Sequence, residues 1–129
     1  MTTNNLRLID ANLNRLREGI RVVEDIFRYI HNDKQTASKL KNIRHLSRIE
    51  CYEDLLESRD IINDVLKGST SSEQSREDLH SILIANFKRA QESARVLEEF
   101  GKLISQEVGE NFKHIRYELY DLEKSLLKI

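Results

Sequence analysis

Residues 11–30 can be laid over residues 85–104 without a gap, at a constant offset of 74 (85 − 11), and the agreement is not confined to apolar positions. Ala11, Asn12, Arg15, Glu18, Arg21, Val22 and Glu24 recur as Ala85, Asn86, Arg89, Glu92, Arg95, Val96 and Glu98. A weaker echo follows, where Ile43-Arg44-His45 resembles Ile115-Arg116-Tyr117 at a similar offset of 72 (115 − 43). Self-similarity of this kind means that one supersecondary unit is used twice. The apolar spacing says which unit. Leu8, Ile9, Leu13, Leu16, Ile20, Val23, Phe27 and Ile30 step by one, three and four, as one face of an α-helix requires. Leu83, Phe87, Ala90, Ala94, Leu97 and Ile104 form the matching face in the second copy. Each half therefore reads as an antiparallel helical hairpin, and the pair as an all-α, four-helix-type bundle made of two duplicated hairpins.

Composition closes off the alternatives. The chain has no proline and only four glycines, so a many-stranded sandwich or barrel, which needs a turn every ten residues or so, is disfavoured. Its 129 residues and 39 % hydrophobic content suffice for one domain with a modest core and exclude a wholly disordered chain. The expected domain is 1–129, with halves of about 1–66 and 73–129 joined by a polar turn at 67–72. Twenty-one Lys+Arg against 22 Asp+Glu give a formal charge of −1, which argues against a nucleic-acid partner held by bulk charge. Any anion site must be local. The single cysteine, Cys51, offers neither an intramolecular disulfide nor a thiolate cluster and reads as a half-buried small apolar residue in a reducing compartment. No run reaches the roughly 18 to 20 apolar residues of a membrane span, and the opening MTTNNLRLID lacks a charged-then-apolar signal segment, so the expectation is a cytoplasmic protein with no membrane partner.

The first helix is expected from about Leu6 to Ile30, capped by Asn4 or Thr3 and stopped by His31-Asn32-Asp33. A second runs from about Thr36 through Leu56, with Ile61, Ile62 and Val65 continuing less regularly. Ser75-Arg76-Glu77-Asp78 resembles a capping box that opens a third helix over Leu79–Ile104, and Val108-Gly109 suggests a break before a fourth over about 111–127.

Core patterns survive repetition while exposed charges drift, so identical polar residues at five positions of both copies exceed what amphipathicity demands. Recurring every third residue, they follow a slanting ridge whose inner end, at Asn12, borders the apolar face and whose outer end, at Arg21, lies opposite it. In the functional reading, Asn12, Arg15, Asn86 and Arg89 line a cleft near a pseudo-twofold axis, where guanidinium forks take a phosphate or carboxylate and Asn offers donor and acceptor to a ring edge. Gly19, replaced by Ser93 in the other copy, points to a close approach there. The competing reading is surface ion pairing, Arg15 to Glu18, Glu18 to Arg21 and Glu24 to Arg28. A second cluster, Arg59-Asp60 with Asp64, could hold Mg²⁺, which takes one or two carboxylates plus substrate phosphates, or could be helix-end charge pairing. Gly68-Ser69-Thr70 reads as a linker or a backbone phosphate cradle, without the Lys-Ser/Thr ending of a nucleotide P-loop. His31, His45, His80 and His114 show no zinc spacing, and Tyr117 with Tyr120 are either core residues with wet hydroxyl tips or a stacking wall.

Taken together, Ala11-Asn12-x-x-Arg15-x-x-Glu18-Gly19-x-Arg21-Val22-x-Glu24-Asp25, then Arg59-Asp60-x-x-x-Asp64-Val65, then Ala85-Asn86-x-x-Arg89-x-Gln91-Glu92-x-x-Arg95-Val96-Leu97-Glu98-Glu99-Phe100-x-Lys102 resembles the helical domain fused ahead of thiamin phosphate synthase barrels. Ile115-Arg116-Tyr117-x-Leu119-Tyr120 is similar to the same family, so the resemblance covers nearly the whole chain. The pattern departs after Val65, where Leu66-Lys67 precede Gly68. The barrel itself, at about 200 to 250 residues, does not fit in this chain. The resemblance implies a place in thiamin biosynthesis as an alternative kinase, which moves the γ-phosphate of ATP, with Mg²⁺, onto hydroxymethylpyrimidine phosphate. On that reading Arg15, Arg89, Glu18 and Glu92 are catalytic, Asn12, Asn86, Arg44, Arg59, Arg116 and Tyr117 bind the phosphorylated pyrimidine, and Asp60 and Asp64 hold the metal. The alternative is a non-catalytic module that binds a thiamin intermediate or the synthase. A homodimer is left open.

Overall fold

The computed structural model describes residues 1–127, so Lys128 and Ile129, the last two of the expected domain, lie outside the described residues. Helix α1 spans Thr3–Asp25 and runs on into a π-helical turn, Ile26–Ile30. It is followed by α2 (Lys34–Leu46), the short α3 (Tyr52–Ser58) and α4 (Ser71–Gln74), and the long α5 (Leu79–Gly101) and α6 (Gln106–Leu126). No strand occurs among the described residues. The core joins Ile9, Leu16 and Ile20 of α1, Leu40 of α2, Phe87 and Leu97 of α5, and Phe112, Ile115 and Leu119 of α6. Four long helices thus make the bundle: α1 packs along α5, α2 on α1, α6 on α5, and α2 touches α6. The short connections at 31–33 and 102–105 make α1–α2 and α5–α6 antiparallel hairpins.

Each boundary has a local chemical cause. Thr2 opens α1, one residue earlier than Thr3, because its hydroxyl reaches the Asn5 N–H. The expected stop at 31–33 is found: Asn32 takes the left-handed conformation, with φ of 52°, and Asp33 caps α2 by accepting from Thr36 N–H at 3.1 Å and Thr36 Oγ1 at 2.6 Å. These bonds hold the Asp33 carboxyl below the ordinary carboxylate range.

The continuous helix expected over 36–56 is interrupted at 47–51. Buried Ser47 turns its hydroxyl back to the Ile43 carbonyl at 2.7 Å and leaves the helical conformation, and the chain then re-forms a helix that returns Leu55 to the core. Beyond Ser58, Ile61, Ile62 and Val65 do not continue a helix and stand 71–94 % exposed. The α5 capping box is Asp78 with Ser81, three residues after the expected Ser75 with Asp78, and a second box, Thr70 with Glu73, opens α4. That second box commits the Thr70 N–H and hydroxyl to the Glu73 carboxylate, so within Gly68-Ser69-Thr70 the Thr70 N–H already has its acceptor.

The last break falls at 102–105, where Ser105 caps α6, and Val108-Gly109 lie inside the helix. Gly109 is there for packing, since a Cβ would stand 3.3 Å from the Glu98 carbonyl oxygen and 3.0 Å from Lys102 Cγ. None of the helices among the described residues is long and apolar enough to cross a membrane.

Candidate functional site

Helices α1 and α5 run antiparallel, with Gly19 against Asn86 and Ala90 at one level and Asn12 beside Ser93 at another. A Cβ on Gly19 would come 3.1 Å from the Asn86 carbonyl oxygen, so the helices approach as closely as the sequence suggested. On the outer face of this crossing lies a cleft of about 370 Å³ lined by Asn12, Arg15, Arg89, Glu92, Ser93 and Val96. The structure therefore brings the arginine of one repeat together with the arginine of the other. Neither Arg15 nor Arg89 forms an ion pair among the described residues. Two guanidinium groups with no carboxylate bonded to them are the chemistry that can take an anion, with the Glu92 carboxylate on the same wall and Glu73 acting on Arg89 through its charge. Asn12, only 7 % exposed, gives its amide N–H to the Leu8 carbonyl at 3.0 Å, and Asn86 does the same with Ile82 at 2.9 Å; Asn86 does not line this cleft.

Arg15 also belongs to a neighbouring cleft of about 500 Å³ on the N-terminal half of α1, walled on its far side by Arg59, Asp60, Ile61 and Asp64. Its chemistry is organised by a residue that sequence reasoning passed over. Asp10 is 5 % exposed on the inward side of α1 and receives a forked pair of bonds from Arg59, Nε at 2.8 Å and Nη2 at 2.9 Å. The bonds to Asp10 raise the Arg59 pKa above its ordinary value, so the guanidinium stays charged. Arg7, also in this cleft, donates to the Asp60 carbonyl at 2.8 Å. The available signal was a carboxylate set between Ile9 and Leu13 in an apolar stripe, which demands a cationic partner elsewhere in the chain.

Asp60 and Asp64 both line this cleft, as a shared metal role would need, but each also shapes the turn. Asp60 accepts from Asn63 Nδ2 at 2.7 Å and Asn63 N–H at 3.1 Å, which holds it below the ordinary carboxylate range, and Asp64 accepts from Leu66 N–H at 3.0 Å. Each carboxylate keeps further lone pairs. No group of three or more His, Cys, Asp and Glu side chains able to hold a metal ion occurs among the described residues. The donor set thus fits Mg²⁺ carried in on substrate phosphates rather than a cage built by protein alone.

The last members of the repeated ridge in chain order, Glu24 and Glu98, serve the fold. Glu24, 1 % exposed, receives Arg44 Nε at 2.7 Å and Nη2 at 3.2 Å, while Glu98 receives Arg116 Nη2 at 2.8 Å and Arg95 Nη1 at 2.9 Å. Arg44 and Arg116 therefore tie α2 to α1 and α6 to α5, and neither lines the clefts around Arg15 and Arg89. The surface pairs considered for Arg15, Glu18 and Arg21 do not form; Arg21 meets Asp25 at 3.4 Å, and Glu24 meets Arg44 in place of Arg28. Glu18 is exposed and lines none of these clefts, in contrast to Glu92. Tyr117 and Tyr120 are 56 % and 40 % exposed, which corrects the core reading. They meet edge to face at 5.9 Å, and the Arg116 guanidinium lies over both rings at 5.0 and 5.6 Å. Cys51 is partly buried, and burial pushes its thiol pKa up, away from reactivity.

Comparison with known proteins places this chain in a lineage. The chain is 40 % identical over 122 residues to a thiamine-phosphate synthase of Synechocystis, covering 94 % of this chain and 36 % of that protein. It is 42 % identical over 124 residues to a thiamine-phosphate synthase of Prochlorococcus marinus, covering 95 % and 36 %. A thiamine-phosphate synthase of Rhodopirellula baltica is 41 % identical over 121 residues, covering 89 % and 32 %. The chain spans about a third of the length of these relatives. No solved structure gives a significant match. Residues 7–125 match the ThiD2 family, a span that takes in both repeats, and the chain belongs to that family.

Proposed function

We propose that this chain acts in thiamin biosynthesis as a phosphotransferase, converting hydroxymethylpyrimidine phosphate to its diphosphate with ATP. The observation that carries the reading is the pair Arg15 and Arg89, contributed by the two copies of one motif, without ion-pair partners, in one cleft between α1 and α5. Phosphoryl transfer asks for positioning and charge stabilisation more than covalent chemistry, and an arginine pair supplies both. An oxygen of the acceptor's phosphate attacks the γ-phosphorus, the bond to the bridging oxygen of ADP breaks, and ADP leaves with the electron pair. That acceptor is largely dianionic near neutral pH, so no side chain needs to remove a proton. Arg15 and Arg89 neutralise the charge on the group in flight, and Asn12 fixes it beside Ser93. Glu92 lies within the same cleft, and Arg59, clamped by Asp10, keeps a permanent charge in the neighbouring cleft that shares Arg15. When bound, Mg²⁺ would be held by Asp60 or Asp64 and would offset nucleotide phosphate charge.

The test is incubation of the purified protein with hydroxymethylpyrimidine phosphate, ATP and Mg²⁺, with ADP and the pyrimidine diphosphate read by mass spectrometry. Product from wild type and its loss in Arg89→Ala, with helicity unchanged, is the expected result. The relatives' greater length favours a second reading, a module that binds the phosphorylated pyrimidine and assists a thiamine-phosphate synthase. Binding retained with no product from folded protein, while a control kinase turns over, would select it.

A further inference from the structure

The cleft on α1 has a counterpart on α5. Arg7, Asp10, Ala11, Asn14 and Arg15 line the first, and the residues 74 positions later, Ser81, Ile84, Ala85, Lys88 and Arg89, line another of about 590 Å³. The outer walls are the two ends of one connection, 59–64 for the first cleft and Glu73 to Glu77 for the second. Arg15 is shared between the α1 cleft and the central one, and Arg89 between the central one and the α5 cleft. Three clefts therefore form one row along the α1–α5 face, with an arginine at each junction.

The two ends differ at particular positions of the repeat. The α1 cleft has the cations Arg7 and Arg59 together with Asp60 and Asp64, a set suited to a metal-bearing polyphosphate. Both clefts mix cations, carboxylates and apolar side chains, and they differ at two repeat-related positions: in the α5 cleft Ile84 stands where the first has Asp10, and Lys88 stands where it has Asn14, beside the carboxylates of Glu73, Glu77 and Glu92 and the guanidinium of Arg76. Ile84 in place of a carboxylate gives apolar contact to a small heteroaromatic ring, a carboxylate accepts from its exocyclic amine, and Arg89, joined by Lys88 when it exchanges Glu123 for the ligand, takes a phosphomonoester.

We infer that the row divides the two substrates: the magnesium nucleotide binds in the α1 cleft, the aminopyrimidine phosphomonoester binds in the α5 cleft, and their phosphates meet at Arg15 and Arg89 between them. The inference rests on the kinase reading and says which half of the repeat serves which substrate. The bond made joins an oxygen of the α5-cleft phosphate to the γ-phosphorus delivered from the α1 cleft, and the bond broken releases ADP on the α1 side.

Arg7→Gln and Lys88→Gln separate the halves. Lys88 is exposed and pairs with Glu123 at 3.1 Å, and Arg7 donates only to a loop carbonyl, so both variants should fold. Steady-state KM for each substrate and equilibrium binding of Mg²⁺ with a non-hydrolysable ATP analogue, and separately of hydroxymethylpyrimidine phosphate, are the readouts. Arg7→Gln should weaken the nucleotide about tenfold and leave the pyrimidine phosphate within about twofold, and Lys88→Gln should do the reverse. Turnover by wild type with both substrates responding to the same variant, or with the pattern inverted, would overturn the division while leaving the kinase reading in place. No turnover by folded wild type would overturn both.

Discussion

Glu24 and Glu98 show why a repeated polar residue is not by itself a functional one. Each is buried on its helix and reached by an arginine from the next long helix; Glu98 also receives Arg95, whereas Glu24 receives Arg44 through both of its bonds, so replacing Arg44 strands the Glu24 charge in the interior. Breaking a buried pair from one side costs about 3–5 kcal/mol, whereas replacing both partners by apolar residues of like volume is close to neutral. Arg44→Met should therefore lower the urea midpoint by an amount corresponding to about 3–5 kcal/mol with the slope unchanged, and Glu24→Leu with Arg44→Met should recover most of it. The sequence displayed these residues but not their allegiance. The spacing of Arg44 from Glu24 says nothing about contact, because the π-helical turn and the 31–33 connection lie between them. Asp10 is the converse case. Its pairing with Arg59 spans 49 residues, and only the burial of its position gave a hint that a partner was needed.

At the scale of elements, periodicity located the four long helices because their apolar faces are continuous, and it failed where a single side chain overrules the pattern. Ser47 ends α2 by bonding its own helix, and Ser105 and Asp78 move two starts by a few residues through caps that pattern alone places only loosely. Gly19 was legible for a different reason: glycine is costly within a helix, so its presence requires a close neighbour. That neighbour is the Asn86 backbone, which belongs to a packed helix and cannot give way as a side-chain tip would. Gly19→Val should therefore destabilise by about 2 kcal/mol in chemical denaturation, the overpacking strain exceeding the gain in helix propensity. A stabilised variant would mean that α1 and α5 can part at this level.

Across the whole molecule, the sequence repeat becomes a functional argument because α1 and α5 run antiparallel along each other. That arrangement carries Arg15 and Arg89, far apart in the chain, to one cleft, while it leaves Glu18 outside and turns Arg44 and Arg116 to the hairpin seams. Which members of the ridge converge depends on the direction and closeness of the crossing, and neither is written in helical periodicity. The same arrangement supplies a test of convergence. If both guanidinium groups stabilise one phosphoryl group, removing the first also disorders what the second holds, and their effects cannot add. Arg15→Ala and Arg89→Ala should each reduce kcat/KM by about 100-fold or more, and the double variant should fall well short of the product of the two losses. Thermal midpoints should stay within a few degrees of wild type, since neither side chain is buried or paired in the fold. Losses that multiply cleanly would place the two arginines on separate ligands and would require each half of the repeat to carry a site of its own.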